Sequence, residues 1–408
     1  MIPALRILVL GVFAAAVASG GAAPVWSKAP GAPRAAAPLP GLRLLMRTGD
    51  RVPDGGTVSQ FSDPTINTPG DLVFGAVVQS GGRARETLYL RTAGGTMTPL
   101  VSTGQSAPTG GTFGAFSDLL LNDRGVVGFM SRTVGRGPRE GIYLVRGGAP
   151  VAVVEVGQPA PTASRSAFTD FANPTVNNRG VIAFVGRTLG QEGIFTSDGS
   201  RIAAVLLSGQ AAPDGGAFEF ILDGSPAMND KGQMAFIAST TASHTQGVYA
   251  FVDGRPVPIV TTGDEAPFGG RFTEFGSVVL TNSGTVGFIG RSSDSRTPEA
   301  LYVTGRAGLV GLAVAGEDVA GGALTKFAEA VIDDREDVMF QLSLPIVPQA
   351  IYVATRAGVR VLLQTGNRAP GGGVFTAFST PALSAARQVA FVAETDDGRH
   401  GLYAVTLP

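Results

Sequence analysis

Asn177-Asn178-Arg179-Gly180-Val181-Ile182-Ala183-Phe184 joins a turn to an apolar run, and Asn229-Asp230-Lys231-Gly232-Gln233-Met234-Ala235-Phe236 repeats it. Asn favours the first position of a type I turn and Gly the last. The run-ending phenylalanine recurs at Phe74, Phe129, Phe184, Phe236, Phe288, Phe340 and Phe391, in steps of 55, 55, 52, 52, 52 and 51 residues. Around it the clearest copies carry a Thr-Gly, a Pro, paired Gly and two Phe on one side and an Ile-Tyr pair on the other. A period of this length marks a repeat architecture.

The second copy shows what one unit builds. Residues 116–121 and 126–130 are apolar runs on either side of Asn122-Asp123-Arg124-Gly125, which makes a β-hairpin. A polar stretch follows, and residues 141–145 and 151–156 read as a third and a fourth strand. No helical period interrupts them, so each unit is a four-stranded antiparallel sheet. The turn weakens in later copies, to Thr281, to Asp333 with Glu336, and to Ser384 with Arg387, which fits a turn role better than a ligand role. All six tyrosines share one slot, Tyr89, Tyr143, Tyr249, Tyr302, Tyr352 and Tyr403, with Phe195 in the seventh. Their expected role is packing between sheets, with the hydroxyl at the rim.

Seven such sheets bury both faces by stacking on each other around an axis, so the expected fold is all-β, a seven-bladed β-propeller. The chain ends support closure. The last unit stops at its third strand, and the missing fourth is found at residues 42–47, directly before Thr48-Gly49. This N-terminal strand is expected to pair with residues 401–405 and complete the seventh blade.

Composition narrows the rest. Apolar residues make up 44% of 408 and charged ones 15%, which supports a large core and argues against disorder. A net charge of −1 does not suit a nucleic-acid partner. The absence of cysteine rules out disulfides, thiol catalysis and thiolate metal sites. Arg6, the apolar run 7–18 and the small-residue sites Ala16-Val17-Ala18 and Gly21-Ala22-Ala23 read as an export signal over residues 1–23. Residues 24–40 are rich in Pro and Ala and read as a linker, leaving 41–408 for the propeller. The expected location is secreted or periplasmic, and an uncleaved signal is the one route to a membrane.

In this connectivity the crossovers between blades share a face with the loops joining second and third strands. Those loops, 79–87, 131–140, 239–246, 291–299 and 394–400, vary most, and that face is the expected binding surface. Asp50, Asp264 and Glu317 follow Thr-Gly or its equivalent, and His244 and His400, the two histidines, lie in loops of that face. These five are the candidate binding residues. An acid after a Thr-Gly also caps its own turn, and two dispersed histidines make a poor metal site. Neither a cofactor nor a metal is expected, and no nucleophile-elbow, zincin or phosphate-loop pattern is present.

The Asn-x-x-Gly-x-x-Ala-Phe phrase at 177–184 and 229–236 resembles the hallmark of bacterial exported proteins described as tandem-repeat NxxGxxAF-containing. The resemblance covers about residues 42–408 and implies a propeller-like fold without assigning catalytic residues. The expected function is a non-catalytic, monomeric, exported propeller that binds a protein or glycan at the envelope. The alternatives are a hydrolase or lyase acting at the channel mouth and a purely structural element of a surface layer.

Overall fold

The computed structural model describes residues 39–407 apart from 223, 243–244, 306–307, 320–321 and 343–348. The proposed signal and nearly all of the proposed linker lie outside the described residues, as does His244. The described chain is all-β and forms seven blades of four antiparallel strands. Blade 2 is representative, with strands Thr112–Leu121, Val127–Val134, Glu140–Val145 and Val151–Glu155 in spatial sequence. The innermost strands touch in a closed circle that returns from blade 7 to blade 1.

The seventh blade takes its outer strand from the other end of the chain. Arg43–Arg47 pairs antiparallel with His400–Thr406, with Arg43 opposite Ala404 and Arg47 opposite Gly401. A bulge identifies this strand as the counterpart of the other six outer strands. In every blade one extra residue sits opposite the tyrosine slot: Leu100, Val153, Val205, Ile259, Leu312, Leu362 and, in the N-terminal strand, Leu45. All seven are apolar, and the bulge twists the strand they occupy.

The core is distributed between blades. Each major cluster draws on two neighbours; one joins Phe61, Phe74 and Tyr89 of blade 1 to Met46 and Leu402 of blade 7. Within each blade the run-ending phenylalanine lies opposite the tyrosine-slot residue, and the rings stack at 5.3 to 5.8 Å. Offset stacks of this kind add about 0.5–1.5 kcal/mol beyond the area they bury.

The strands of blades 1 and 2 run further than the apolar runs suggest. Leu72–Ser80 and Arg83–Arg91 form a hairpin closed by Gly81 and Gly82, both with positive φ. In blade 2 the return strand continues to Val134, into the stretch read as a polar loop. These tips are exposed on both sides, so no apolar alternation marks them.

Candidate functional site

The first-to-second and third-to-fourth strand turns lie at one end of the ring, here the turn end. The crossovers and the second-to-third hairpins lie at the other, the loop end.

At the turn end the repeated asparagine does two jobs. Its side-chain oxygen closes its own turn: Asn122 Oδ1 accepts from the Val126 and Arg124 amides at 2.9 and 3.0 Å. Its Nδ2 donates to the next blade, from Asn67 to the Asn122 carbonyl at 3.1 Å, from Asn122 to that of Asn177 at 2.9 Å and from Asn229 to that of Thr281 at 3.0 Å. The residue after it forms a second belt around the channel mouth. The amides of Thr68, Asp123, Asn178, Asp230 and Asn282 each donate to the side chain of the next member, ending on Asp334. Asn178 Nδ2 bridges Asp123 and Asp230 at 2.8 Å each, and Asn282 Nδ2 bridges Asp230 and Asp334 at 3.0 and 3.4 Å. Carboxamides thus alternate with carboxylates and satisfy them. Ala385 stands at this place in blade 7, where the belt stops.

Between blades 6 and 7 the asparagine clasp is replaced. Asp333 has no amide to donate, and Arg387 of blade 7 reaches back to it at 3.3 Å and also binds Asp337. The Asp333 side chain is 0% exposed, and burial, the largest influence on it, holds its pKa above the usual carboxylate range. Arg387 also takes the turn position that is glycine in blades 1–5, at φ 64°.

The loop end carries a matching clasp that turn chemistry alone does not reveal. Three residues before each tyrosine-slot residue stands Glu86, Glu140, Glu192, Gln246, Glu299, Gln349 or His400. Side-chain oxygens in this slot accept amides from the next blade's inner strand: Glu192 from Ile221 at 2.9 Å, Gln246 from Phe275 at 3.4 Å, Glu299 from Phe327 at 2.7 Å and Gln349 from Phe378 at 3.0 Å. Glu86 accepts from Phe116 in the same way, while burial pushes its carboxyl pKa up. The recurrence of Glu or Gln at a fixed offset was the signal available in the sequence.

Four of the five candidate residues are described, His244 being outside the described residues. Asp50, Asp264 and Glu317 each accept the amide three residues back, from Arg47 at 2.9 Å, Thr261 at 2.7 Å and Val314 at 3.5 Å. Gln105, Gln158, Gln210 and Asn367 do the same in the other crossovers. His400 is half-buried at the start of its strand, where its amide donates to Thr48 Oγ1 and its carbonyl accepts the Thr48 amide. Asp50 and His400 therefore belong to the closing seam, whereas Asp264 and Glu317 lie in the crossovers into blades 5 and 6. Among the described residues no three His, Cys, Asp or Glu side chains form a metal-holding group.

The tyrosine hydroxyls lie beneath the loop end. Tyr89 donates to Asp54 at 2.7 Å and Tyr143 to Glu155 at 3.1 Å. Tyr302 is buried, its hydroxyl has no partner among the described residues, and burial pushes its pKa up to about 12. The crossover position that is Asp54 before blade 1 is Phe268 before blade 5, and the Phe268 ring lies 5.9 Å from Tyr302. Tyr302→Phe should leave the melting temperature unchanged or raise it, because it removes an unsatisfied hydroxyl. Tyr89→Phe should cost about 1 kcal/mol in urea unfolding, because it removes the hydroxyl that donates to Asp54, which keeps its ion pair with Arg85.

What remains exposed at the loop end is uneven. Val134 at 64%, Leu189 at 84% and Phe220 at 57% lie on blades 2, 3 and 4. Arg83, Arg132, Arg136 and Arg139 are exposed on the hairpins of blades 1 and 2.

The same architecture occurs in the acylaminoacyl peptidase of Pyrococcus horikoshii, at 11% identity over 84% of this chain and 50% of that one, with a TM-score of 0.50. It also occurs in a puromycin-hydrolyzing peptidase of Mycobacterium tuberculosis, at 15% identity over 89% and 54%, with a TM-score of 0.52. This chain spans about half the length of either peptidase, and at such identities the likeness is one of fold alone. No curated protein matches the sequence. Residues 35–248 and 239–404 match a family of unknown function, DUF7453, and since the two stretches together cover nearly the whole propeller, the chain belongs to that family.

Proposed function

We propose that this chain is a non-catalytic exported scaffold that holds a protein or glycan partner at the cell envelope through its loop end. One observation carries the reading. The polar residues that recur from blade to blade are engaged in joining blades, by the asparagine clasp and belt at one end and the Glu/Gln slot at the other. The residues that differ from blade to blade are the hairpins of the loop end, and a rigid ring presenting variable loops is the usual construction of a binding surface. The export signal read from residues 1–23 supplies the envelope location.

The test is capture from envelope extract on immobilised protein. The expected result is one or a few retained components that are lost when the hairpin tips of blades 1 and 2 are shortened. They should survive Arg124→Ala with Arg201→Ala at the turn end. Equal retention by the shortened variant would overturn the assignment of the face. Turnover of a captured glycan or peptide would overturn the non-catalytic reading.

A further inference from the structure

Among the second-to-third hairpins of the loop end, excess positive charge is concentrated on blades 1 and 2. Between residues 79–86 and 132–140, the second-to-third hairpins of blades 1 and 2 carry Arg83, Arg85, Arg132, Arg136 and Arg139 against Glu86 and Glu140. Both acids are at the base of the hairpins. Glu86 is half-buried and holds the Phe116 amide, and Glu140 pairs with Arg132 at 3.4 Å. Arg85 is held by Asp54 at 2.5 Å. Arg83, Arg136 and Arg139 are exposed and form no ion pair among the described residues. The blade 5 hairpin is balanced, with Arg291 and Arg296 against Asp294 and Glu299, and on blade 7 the balance reverses. The blade 7 hairpin, residues 394–400, carries Glu394, Asp396 and Asp397 against Arg399.

The blade 2 hairpin is braced. A Cβ on Gly111 would lie 2.7 Å from the Val134 carbonyl oxygen, and one on Gly137 would lie 2.8 Å from that of Gly110. The crossover into blade 2 therefore packs directly against that blade's hairpin. The Thr133 amide donates to the Arg139 carbonyl at 3.1 Å and fixes the base of the loop. On blade 1, Gly81 and Gly82 would meet nothing within 4 Å, so the tip carrying Arg83 stands in open solvent.

Resting on the reading of the loop end as a binding face, we infer that these two basic hairpins hold a linear carboxylated polysaccharide, a polymer of uronic acids. Guanidinium groups match carboxylates in a two-pronged geometry and stay charged at every physiological pH. Three unpaired arginines on two neighbouring prongs suit a chain that repeats its carboxylate, where each contact adds modestly and the sum depends on salt. A protein partner would call for large apolar or aromatic anchors at the centre of the patch. The two tips offer Val134 and no exposed aromatic side chain.

The experiment is affinity electrophoresis of the full chain through gels containing polygalacturonate, pullulan, polyglutamate or duplex DNA, with calorimetry on any polymer that retards it. The expected result is retardation by polygalacturonate that weakens with salt, and none by neutral pullulan. Arg83→Ala with Arg136→Ala and Arg139→Ala should lower polygalacturonate affinity at least tenfold at an unchanged melting temperature. Arg124→Ala with Arg201→Ala should leave it unaltered. No retardation by polygalacturonate, or undiminished retardation of the triple variant, would overturn the proposal. Polyglutamate or DNA binding as tightly would overturn it too, by showing that charge alone is recognised. If polygalacturonate fails while hairpin-dependent capture from envelope extract succeeds, the polysaccharide assignment falls and the scaffold reading stands.

Discussion

A chain that starts at Thr48 should be strongly destabilised. It loses the outer strand of blade 7, including buried Leu42 and Met46 and the partly buried Leu44 and Leu45. A fully buried Leu or Met is worth about 1.5–3 kcal/mol, so the loss is on the order of 5 kcal/mol or more before any backbone pairing is counted. That is comparable with the whole stability of a typical domain. It also uncovers the edge of His400–Thr406 and leaves the cluster shared by blades 7 and 1 incomplete. Calorimetry should show a melting temperature lower by about 10 °C or more, or a broad transition. A synthetic peptide spanning residues 39–50 should restore part of the loss by adding as a strand. An unchanged transition in the truncated chain would mean that the ring does not depend on its latch.

Arg387→Ala should be the most damaging single substitution at the turn end. It leaves the fully buried Asp333 without its cation, and stranding one partner of a buried pair costs about 3–5 kcal/mol. The effect should depend on pH with a defined sign. Burial already raises the folded-state pKa of Asp333, so the folded chain keeps that proton to a higher pH than the unfolded chain. Stability associated with this group is therefore present below the ordinary Asp pKa and lost as pH rises through the raised one. In Arg387→Ala the loss should be steeper and extend to higher pH; in Asp333→Asn it should vanish. The double variant Asp333→Asn with Arg387→Gly recreates the clasp of blades 1, 2 and 4 and frees the left-handed position from its side chain, relieving about 1–2 kcal/mol of strain. It should match or exceed the parent in urea unfolding. A double variant as unstable as Arg387→Ala would show that the asparagine clasp and the ion pair are not interchangeable.

The ring was legible in the sequence because its determinants repeat within each unit. The spacing of Phe74 to Phe391 counts the blades, and the fourth strand missing after Val405 identifies its counterpart near Leu44. The clasps were less legible because each involves two units. The Asn122 side chain meets the Asn177 carbonyl 55 residues on, and only the turn half of its role is local. Glu192 and Glu299 look like ordinary surface acids until the next blade's inner strand is placed above them. The long hairpins of blades 1 and 2 escaped a pattern-based reading because a strand exposed on both faces carries no alternation. His400 drew attention as a rare residue, yet its position is the Glu/Gln slot of the other blades.

The bulge opposite each tyrosine slot bears on how these molecules behave when crowded. A flat, uninterrupted β-margin invites a neighbour to zip along it and seeds fibrils. Here all seven margins are kinked near their midpoint, and Pro99, Pro256 and Pro258 withdraw further amide donors from two of them. A foreign strand would lose register after a few residues on any side. The ring is thereby protected against polymerising through its circumference, and specific contacts are left to its two ends.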